Sequence, residues 1–127
     1  MERAFILHRV FPTGAKVLPE PKVVMNPPVR LLFRDIEEAV GGLREDFFVE
    51  SLKQAKIRFQ YLKSTRGAKT PDYLIQEAGR RLVVEIGGPG KGRTQFKGVK
   101  YDRKIVCADV SVPGDDRFPL FLLGYLA

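Results

Sequence analysis

The sequence predicts a mixed α/β domain, in which a central β-sheet is flanked by helices. The 127 residues are the size of one domain, and an amphipathic helical pattern is followed by several short runs that alternate as strands do. The run "KIVCADV" is apolar at its centre, which is typical of a strand buried on both faces. A helix followed by alternating strands and then by a strand of the fully buried type favours a mixed sheet. We therefore predict a single domain over residues 1–127.

Residues 1–29 are predicted to form an extended, proline-rich entry to this domain. Five prolines fall between residues 11 and 29, and proline is disfavoured inside helices and central strands. Short strands are nevertheless predicted at residues 4–10 and at "KVVM". Residues 30–127 would then form the core of the domain.

A first helix is predicted in "VRLLFRDIEEAV". Leu32, Ile36 and Val40 recur there at helical spacing. The pair Gly41-Gly42 follows directly, and glycines after the last periodic residue are a stop signal. We therefore expect the helix to end at these glycines.

The second predicted helix, "LREDFFVESLKQAK", carries a candidate site residue in its first turn. Phe48, Val49 and Leu52 form one apolar stripe, and Glu45 lies three residues before Phe48 and four before Val49. Residues at these spacings share a helix face, so Glu45 is expected to project from the core side. It would either interact with the positive end of the helix dipole or reach into a functional site.

The strands that follow predict a hairpin with two facing carboxylates. The predicted strands are "IRFQYL", "PDYLIQ" and "RLVVEI", while "PLFLLGYL" fits a helix or a strand. If Ala78 and Gly79 are the central turn residues, pairing outward from the turn places Asp72 directly opposite Glu85. Their Cβ atoms would then lie about 4.5–5.5 Å apart on one face of the sheet.

Two carboxylates opposite one another destabilise a strand pair unless their charge is offset. A nearby cation, a raised pKa or a divalent metal would do so, and Mg²⁺ is typically held by one or two carboxylates with water and substrate phosphates. Asp72 and Glu85 are therefore candidate metal ligands. The alternatives are an Asx-type turn at Asp72 and an exposed ion pair of Glu85 with Lys91 or Arg93.

A glycine-rich basic segment follows Glu85. Glycines at 87, 88, 90 and 92 let the backbone approach a ligand closely, and backbone N–H groups suit phosphate oxygens. Between residues 91 and 104 the single acid Asp102 is outnumbered by six cations: Lys91, Arg93, Lys97, Lys100, Arg103 and Lys104. The segment is not a Walker A loop, because Gly92 stands where that motif has Ser or Thr.

The composition favours an anionic partner. The formal net charge is +7, and nucleic acid is the commonest partner of such basic domains, although solubility alone would also explain the charge. With Cys107 as its one cysteine and His8 as its one histidine, the chain has no ligand set for structural zinc. No apolar run approaches the length of a membrane span, so a cytoplasmic protein without a membrane partner is expected.

Several short motifs resemble known families. "PD" at 71–72 and "VVEIG" at 83–87 resemble the PD-(D/E)xK signature of restriction-endonuclease-like folds. More closely, "LREDFFVESL", "TPDYLI", "VVEIGGPGKGRTQFKG" and "FPLFLLGYL", in this order, resemble the C-terminal domain of a bacterial and archaeal family of AAA+-type ATPases. That domain is similar to the endonuclease fold, and the resemblance spans most of residues 20–127.

The resemblance implies a restriction-endonuclease-like sheet, Mg²⁺ or Mn²⁺ as a cofactor, and nucleic acid as a partner. In active nucleases of this fold an Asp and a Glu bind the metal and a Glu on the preceding helix assists; these roles fall to Asp72, Glu85 and Glu45. The lysine of the signature is replaced by Gly87. Lys91 in the loop, and Gln95, which matches a glutamine often found on the next helix, are the candidates to compensate.

Three functions follow from these observations. The first is a metal-dependent nuclease, weakened or inactivated by the glycine in place of lysine. The second is a non-catalytic domain that binds nucleic acid through the segment 91–104, with Lys91, Arg93, Lys97 and Lys100 on the phosphates. The third is a protein-interaction domain that regulates an ATPase module, in cis or in trans. ATP would belong to that module and not to this chain, which would be a fragment or a stand-alone relative.

Overall fold

The computed structural model describes residues 4, 6–14, 20–63, 70–88, 90 and 99–126. Within these residues the chain is a mixed α/β fold with a mixed sheet, as predicted, whereas the restriction-endonuclease-like type of that fold stays a prediction. Its elements are β1 (Leu7–Val10), β2 (Lys22–Met25), α1 (Pro27–Arg30), α2 (Ile36–Gln54), β3 (Phe59–Tyr61), β4 (Tyr73–Glu77), β5 (Arg80–Gly87), β6 (Arg103–Ala108), β7 (Arg117–Pro119) and a 3₁₀ helix (Leu120–Tyr125).

The described strands form one five-stranded sheet and one separate pair. The large sheet has the order β3-β4-β5-β6-β7, and β1 pairs with β2. Strands β3, β4 and β5 run antiparallel, whereas β5, β6 and β7 run parallel, so the sheet is mixed as predicted. The carboxyl ends of β5, β6 and β7 therefore meet the amino end of β4 at one edge of the sheet, here called the carboxyl edge.

The predicted register of the β4–β5 hairpin is confirmed. Tyr73 pairs with Val84, and Glu77 pairs with Arg80 beside the turn. Ala78 and Gly79 have φ angles of 48° and 78°, the two positive values that a type I′ turn requires. The ladder ends at the pair of Tyr73 and Val84, so Asp72 lies just outside β4 and its predicted pairing with Glu85 is not part of the ladder.

The prediction of a helix end at Gly41-Gly42 was wrong, because α2 runs through both glycines without interruption. The residues before it, 31–34, form a turn instead of a helix. A Cβ atom on Gly42 would lie 2.6–2.7 Å from the guanidinium of Arg30. The glycine therefore permits the close approach of a side chain that crosses the helix. A glycine inside a helical pattern has either such a packing role or a role in ending the helix.

Arg30 crosses α2 at this point to reach a buried carboxylate. Asp46 is fully buried, and its Oδ1 accepts hydrogen bonds from Arg30 Nη2 at 2.8 Å and from the Met25 amide at 3.2 Å. Arg30 Nε donates to the other carboxylate oxygen, and this hydrogen bonding raises the pKa of Arg30. Paired donors on one carboxylate are strong and directional, so the contact fixes α1 and the end of β2 against α2.

The main apolar core lies between α2 and one face of the large sheet. Phe48 packs against Tyr73 with ring centroids 5.0 Å apart, and Val10 and Val24 of the β1–β2 pair belong to the same core. The predicted stripe of α2 is confirmed, since its members are all buried: Phe48, Val49 and Leu52. A smaller cluster on the other face of the sheet contains Leu74, Val83, Val106 and Ala108.

Two further predictions concern the end of the chain and its cysteine. "PLFLLGYL" is divided between the last residue of β7 and the 3₁₀ helix. Cys107 is buried as expected, and burial raises the pKa of its thiol to about 12. Across the described part of the chain, the helices lack the combined length and apolarity that crossing a membrane requires.

Candidate functional site

A cavity of about 330 Å³ lies at the carboxyl edge of the sheet. We call it the edge cavity, and its lining residues are Lys22, Gly41, Arg44, Glu45, Asp72, Ile86, Gly87 and Gly88. They come from β2, from α2, from the residue before β4, and from the end of β5 with the residue that follows it. In open α/β sheets, ligands bind outside the carboxyl ends of the strands, so this position is the one that the topology favours for a site.

Glu45 reaches the edge cavity from the core side of α2, as the sequence predicted. It lies in the middle of the helix and not in the first turn, because α2 begins at Ile36. The helix dipole acts within the first turn and does not explain this carboxylate. Its Oε1 instead contacts Lys22 Nζ and accepts a hydrogen bond from the Tyr73 hydroxyl at 2.8 Å.

The Tyr73 hydroxyl is a fixed proton donor to this carboxylate. Burial raises the pKa of Tyr73 well above its ordinary value, and the negative charges of Glu45 and Asp72 raise it further. The phenol therefore stays protonated at neutral pH and donates to Glu45. A protonated tyrosine beneath the carboxylate holds Glu45 in one orientation toward the cavity.

Asp72 lies at the same cavity, held across the end of the hairpin. Its Oδ2 accepts a hydrogen bond from the Ile86 amide at 2.8 Å. This bond ties the start of β4 to the end of β5 and stabilises the carboxylate by a backbone N–H. This hydrogen bond offsets part of the negative charge of Asp72.

Glu85 is not part of the edge-cavity lining. Its exposure is 0%, and strand alternation places it on the face of Val83, opposite the face covered by α2. The structure thus places Glu45 and Asp72 in the lining of one cavity, whereas Glu85, the residue before Ile86 in β5, is fully buried.

The arrangement bears on the predicted metal site. Among the described residues, no group of three or more His, Cys, Asp or Glu side chains is placed to hold a metal ion. Glu45 and Asp72 line one cavity, and Mg²⁺ commonly takes one or two carboxylates and completes its shell with water and substrate phosphate. Metal binding by Glu45, Asp72 and Glu85 stays a prediction.

Arg44 supplies a second cation beside Lys22. Its Nε donates to Asp109 Oδ2 at 2.6 Å, which holds the guanidinium at the carboxyl edge. A Cβ atom on Gly88 would lie 3.6–3.7 Å from that guanidinium. The absence of a side chain there leaves the end of β5 open beside a fixed positive charge.

Lys22, Arg44 and Tyr73 were missed by the sequence reasoning. Arg44 precedes Glu45 in the chain, and Tyr73 follows Asp72, so adjacency to a candidate acid was an available signal for both. Lys22 had no such signal, because its position depends on the packing of the β1–β2 pair against α2.

The glycine-rich segment is described only in part. Gly87 is the buried last residue of β5 and lines the edge cavity, while Lys100 is exposed. Four predicted site residues lie outside the described residues, and their roles stay predictions: Lys91, Arg93, Gln95 and Lys97.

Fold and site together define a mixed α/β domain with a mixed-charge cavity at the carboxyl edge of its sheet. The chain has no significant match among protein-family models, curated proteins or solved structures. The resemblance to restriction-endonuclease-like domains of AAA+-type ATPases therefore rests on the sequence motifs alone.

Proposed function

We propose that the chain is a nucleic-acid-binding domain of restriction-endonuclease-like type, whose edge cavity takes a backbone phosphate and keeps a weak Mg²⁺-dependent phosphodiesterase activity. One observation carries the proposal. The edge cavity surrounds a glycine backbone with two carboxylates and two cations at the carboxyl edge of the sheet. This is a donor set for a phosphate together with a divalent ion.

The two cations have different parts in binding. Arg44 presents a planar guanidinium whose remaining N–H groups suit phosphate oxygens. Lys22 brings a compact positive charge next to Glu45. It supplies a cation to the cavity in which Gly87 has replaced the lysine of the signature.

The carboxylates account for the catalytic part of the proposal. Glu45 and Asp72 would hold the Mg²⁺, which when bound polarises a phosphodiester and lowers the pKa of water. Tyr73 orients Glu45, and the Ile86 amide orients Asp72. Weak activity is expected because Lys22 is engaged by Glu45 in the free protein and Glu85 is fully buried and not part of the cavity lining.

The catalytic claim is tested by incubating single-stranded and duplex DNA with Mn²⁺. We expect slow cleavage by the unmodified protein, and a loss of at least about tenfold in Asp72→Asn, since even the loss of an outer-shell partner of a metal ligand weakens binding or activity by that order. Glu77→Gln is the matched control, because Glu77 is exposed at the opposite end of β4. Equal cleavage by all three proteins, or none by any, contradicts the phosphodiesterase.

The binding claim has a separate test. Affinity for an oligonucleotide should fall steeply as salt rises, since phosphate contacts release counterions. Lys22→Met should lower the affinity, whereas Lys63→Met should not, because Lys63 is exposed and pairs with Glu20. No binding at low salt contradicts the proposal as a whole.

A protein-interaction domain that regulates an ATPase module is a second candidate, favoured by an exposed apolar segment. Leu32, Phe33 and Ile36 are 78%, 70% and 58% exposed beside the start of α2, and contiguous apolar surface marks interaction sites. Co-purification with an ATPase module of the family that the motifs resemble tests this role. Phe33→Ser should abolish co-purification, and retention by this variant contradicts the role of the segment.

A further inference from the structure

We propose that a second cavity, at the opposite end of α2 from the edge cavity, binds single-stranded nucleic acid. This cavity has a volume of about 650 Å³ and is open to solvent. We call it the basic cavity, and the side chains that define it are Arg9, Phe11, Lys53, Lys56, Arg58 and Phe59. The inference rests on the proposed function, because nucleic acid is the ligand proposed for the edge cavity and for the basic cavity.

Charge is the first argument for an anionic ligand. Four cations line the basic cavity, all of them exposed, and none of its described lining residues carries a carboxylate. Lys56 and Arg58 form no ion pair within the described parts of the chain. A concave surface lined by one sign of charge concentrates the field that attracts a polyanion.

The backbone at Lys56 is the second argument. Lys56 follows the end of α2 with a φ angle of 57°, the left-handed conformation that helix ends usually assign to glycine. A side chain is disfavoured in this conformation. Strained residues cluster at binding sites, where the strain is retained for function, and here the strained residue contributes a charge to the basic cavity.

The exposed aromatic side chain at the basic cavity favours single-stranded over duplex nucleic acid. Phe11 is 43% exposed at the cavity, whereas Phe59 beside it is half-buried, packs against the core and lies 6.0 Å from Lys53 Nζ. A positively charged groove with an accessible aromatic ring is the recurring design of single-strand binders, because unpaired bases stack on the ring. The bases of a duplex are stacked within the helix and would not reach Phe11.

The basic cavity is also within reach of a strand that occupies the edge cavity. Asp72 lines the edge cavity and Gln76 lines the basic cavity. Four residues of extended chain separate them, which is about 13 Å. A short single strand could therefore contact both cavities, with its bases at Phe11 and one phosphate at the carboxyl edge.

The experiment measures the anisotropy of a fluorescein-labelled oligo(dT) as protein is added at several salt concentrations. Arg58→Glu should weaken binding and lower the salt slope by roughly one. Phe11→Ala should weaken binding about tenfold, because a stacked base contributes on that order. Arg34→Glu, a matched charge reversal near the other end of α2, should leave the affinity unchanged.

Inorganic polyphosphate as competitor separates bases from charge. We expect Phe11→Ala to lower oligo(dT) affinity and to leave polyphosphate affinity unchanged. If Phe11→Ala lowers the affinity for oligo(dT) and for polyphosphate equally, or lowers neither, the inference is overturned in favour of a general polyanion site. If Arg58→Glu has no effect while Lys22→Met weakens binding, the inference falls and the proposed function stands. If neither oligo(dT) nor duplex binds the unmodified protein, both fall.

Discussion

The two cavities differ in how their cations are held. In the edge cavity, Lys22 contacts Glu45 and Arg44 pairs with Asp109. In the basic cavity, Lys56 and Arg58 have no such pairing within the described residues. Fixed, paired charges preorganise a small site for one chemical group, whereas exposed charges on flexible side chains attract a long anion without fixing its position.

The contacts that hold the walls of the two cavities also differ, being buried at the edge cavity and on the surface at the basic cavity. The wall of the edge cavity is contributed by α2, whose buried Asp46 is tied to α1 by Arg30 and to β2 by the Met25 amide. The basic cavity lies where α2 ends, and Lys53 Nζ donates there to the Arg9 carbonyl at 3.3 Å, on the surface. Substitutions around the edge cavity should therefore change the free energy of unfolding, while those in the basic cavity should change mainly binding.

The largest effect is expected for Asp46→Ala. The substitution removes a fully buried carboxylate and leaves the Arg30 guanidinium and the Met25 amide without this acceptor. We expect the free energy of unfolding in urea to fall by about 3 kcal/mol. Asp115→Ala, at an exposed position, is the control and should stay within about 0.5 kcal/mol. A loss below about 1 kcal/mol would show that the contact does not support the edge cavity.

Gly42→Ala and Gly41→Ala should have opposite effects on stability. A Cβ atom at Gly42 meets the Arg30 guanidinium at 2.6–2.7 Å, whereas one at Gly41 has nothing within 4 Å. We expect Gly42→Ala to lower the free energy of unfolding by about 1–2 kcal/mol, because the Arg30 guanidinium would have to move and strain its hydrogen bonds to Asp46. Gly41→Ala should raise it by about 0.5–1 kcal/mol, since alanine is the better helix former. Changes of the same sign would remove the explanation given for this glycine pair.

Tyr73→Phe tests the hydrogen bond to Glu45 and its dependence on pH. Loss of the hydroxyl should lower the free energy of unfolding by about 1 kcal/mol at pH 8. Because the folded-state pKa of Tyr73 is raised above its ordinary value near 10, its contribution is complete below pH 10 and declines as the pH rises further. The difference between the two proteins should therefore shrink or reverse at pH 11. A constant difference would mean that the tyrosine is not held protonated.

The smallest effect on stability is expected for Lys56→Gly. Glycine relieves the left-handed conformation at φ 57° but loses more backbone entropy on folding. The net result should be a gain of about 0.5 kcal/mol in the free energy of unfolding, accompanied by weaker binding of oligo(dT). Unchanged binding in a stabilised variant would remove the functional reason for the lysine.

The β4–β5 hairpin was predictable because its determinants are local. The turn residues Ala78 and Gly79 predicted the register, which the structure shows from the pair of Tyr73 and Val84 to the pair of Glu77 and Arg80. The core-side position of Glu45 was predictable for the same reason, since helical spacing to Phe48 and Val49 sets it.

Interactions between distant segments were beyond the sequence patterns. The continuous α2 depends on Arg30 lying over Gly42. No local sequence pattern indicates this contact. Lys22 reaches the edge cavity through the packing of the β1–β2 pair in the same core as α2.

The most direct test of both cavities is a titration of ¹⁵N-labelled protein with oligo(dT) at low salt, followed by amide chemical shifts. We predict perturbations at Gly87 and Gly88 beside the edge cavity and at Phe11 and Arg58 beside the basic cavity, with little change near Phe33. Shifts confined to residues 31–36, or no shifts at all, would contradict nucleic-acid binding by the two cavities.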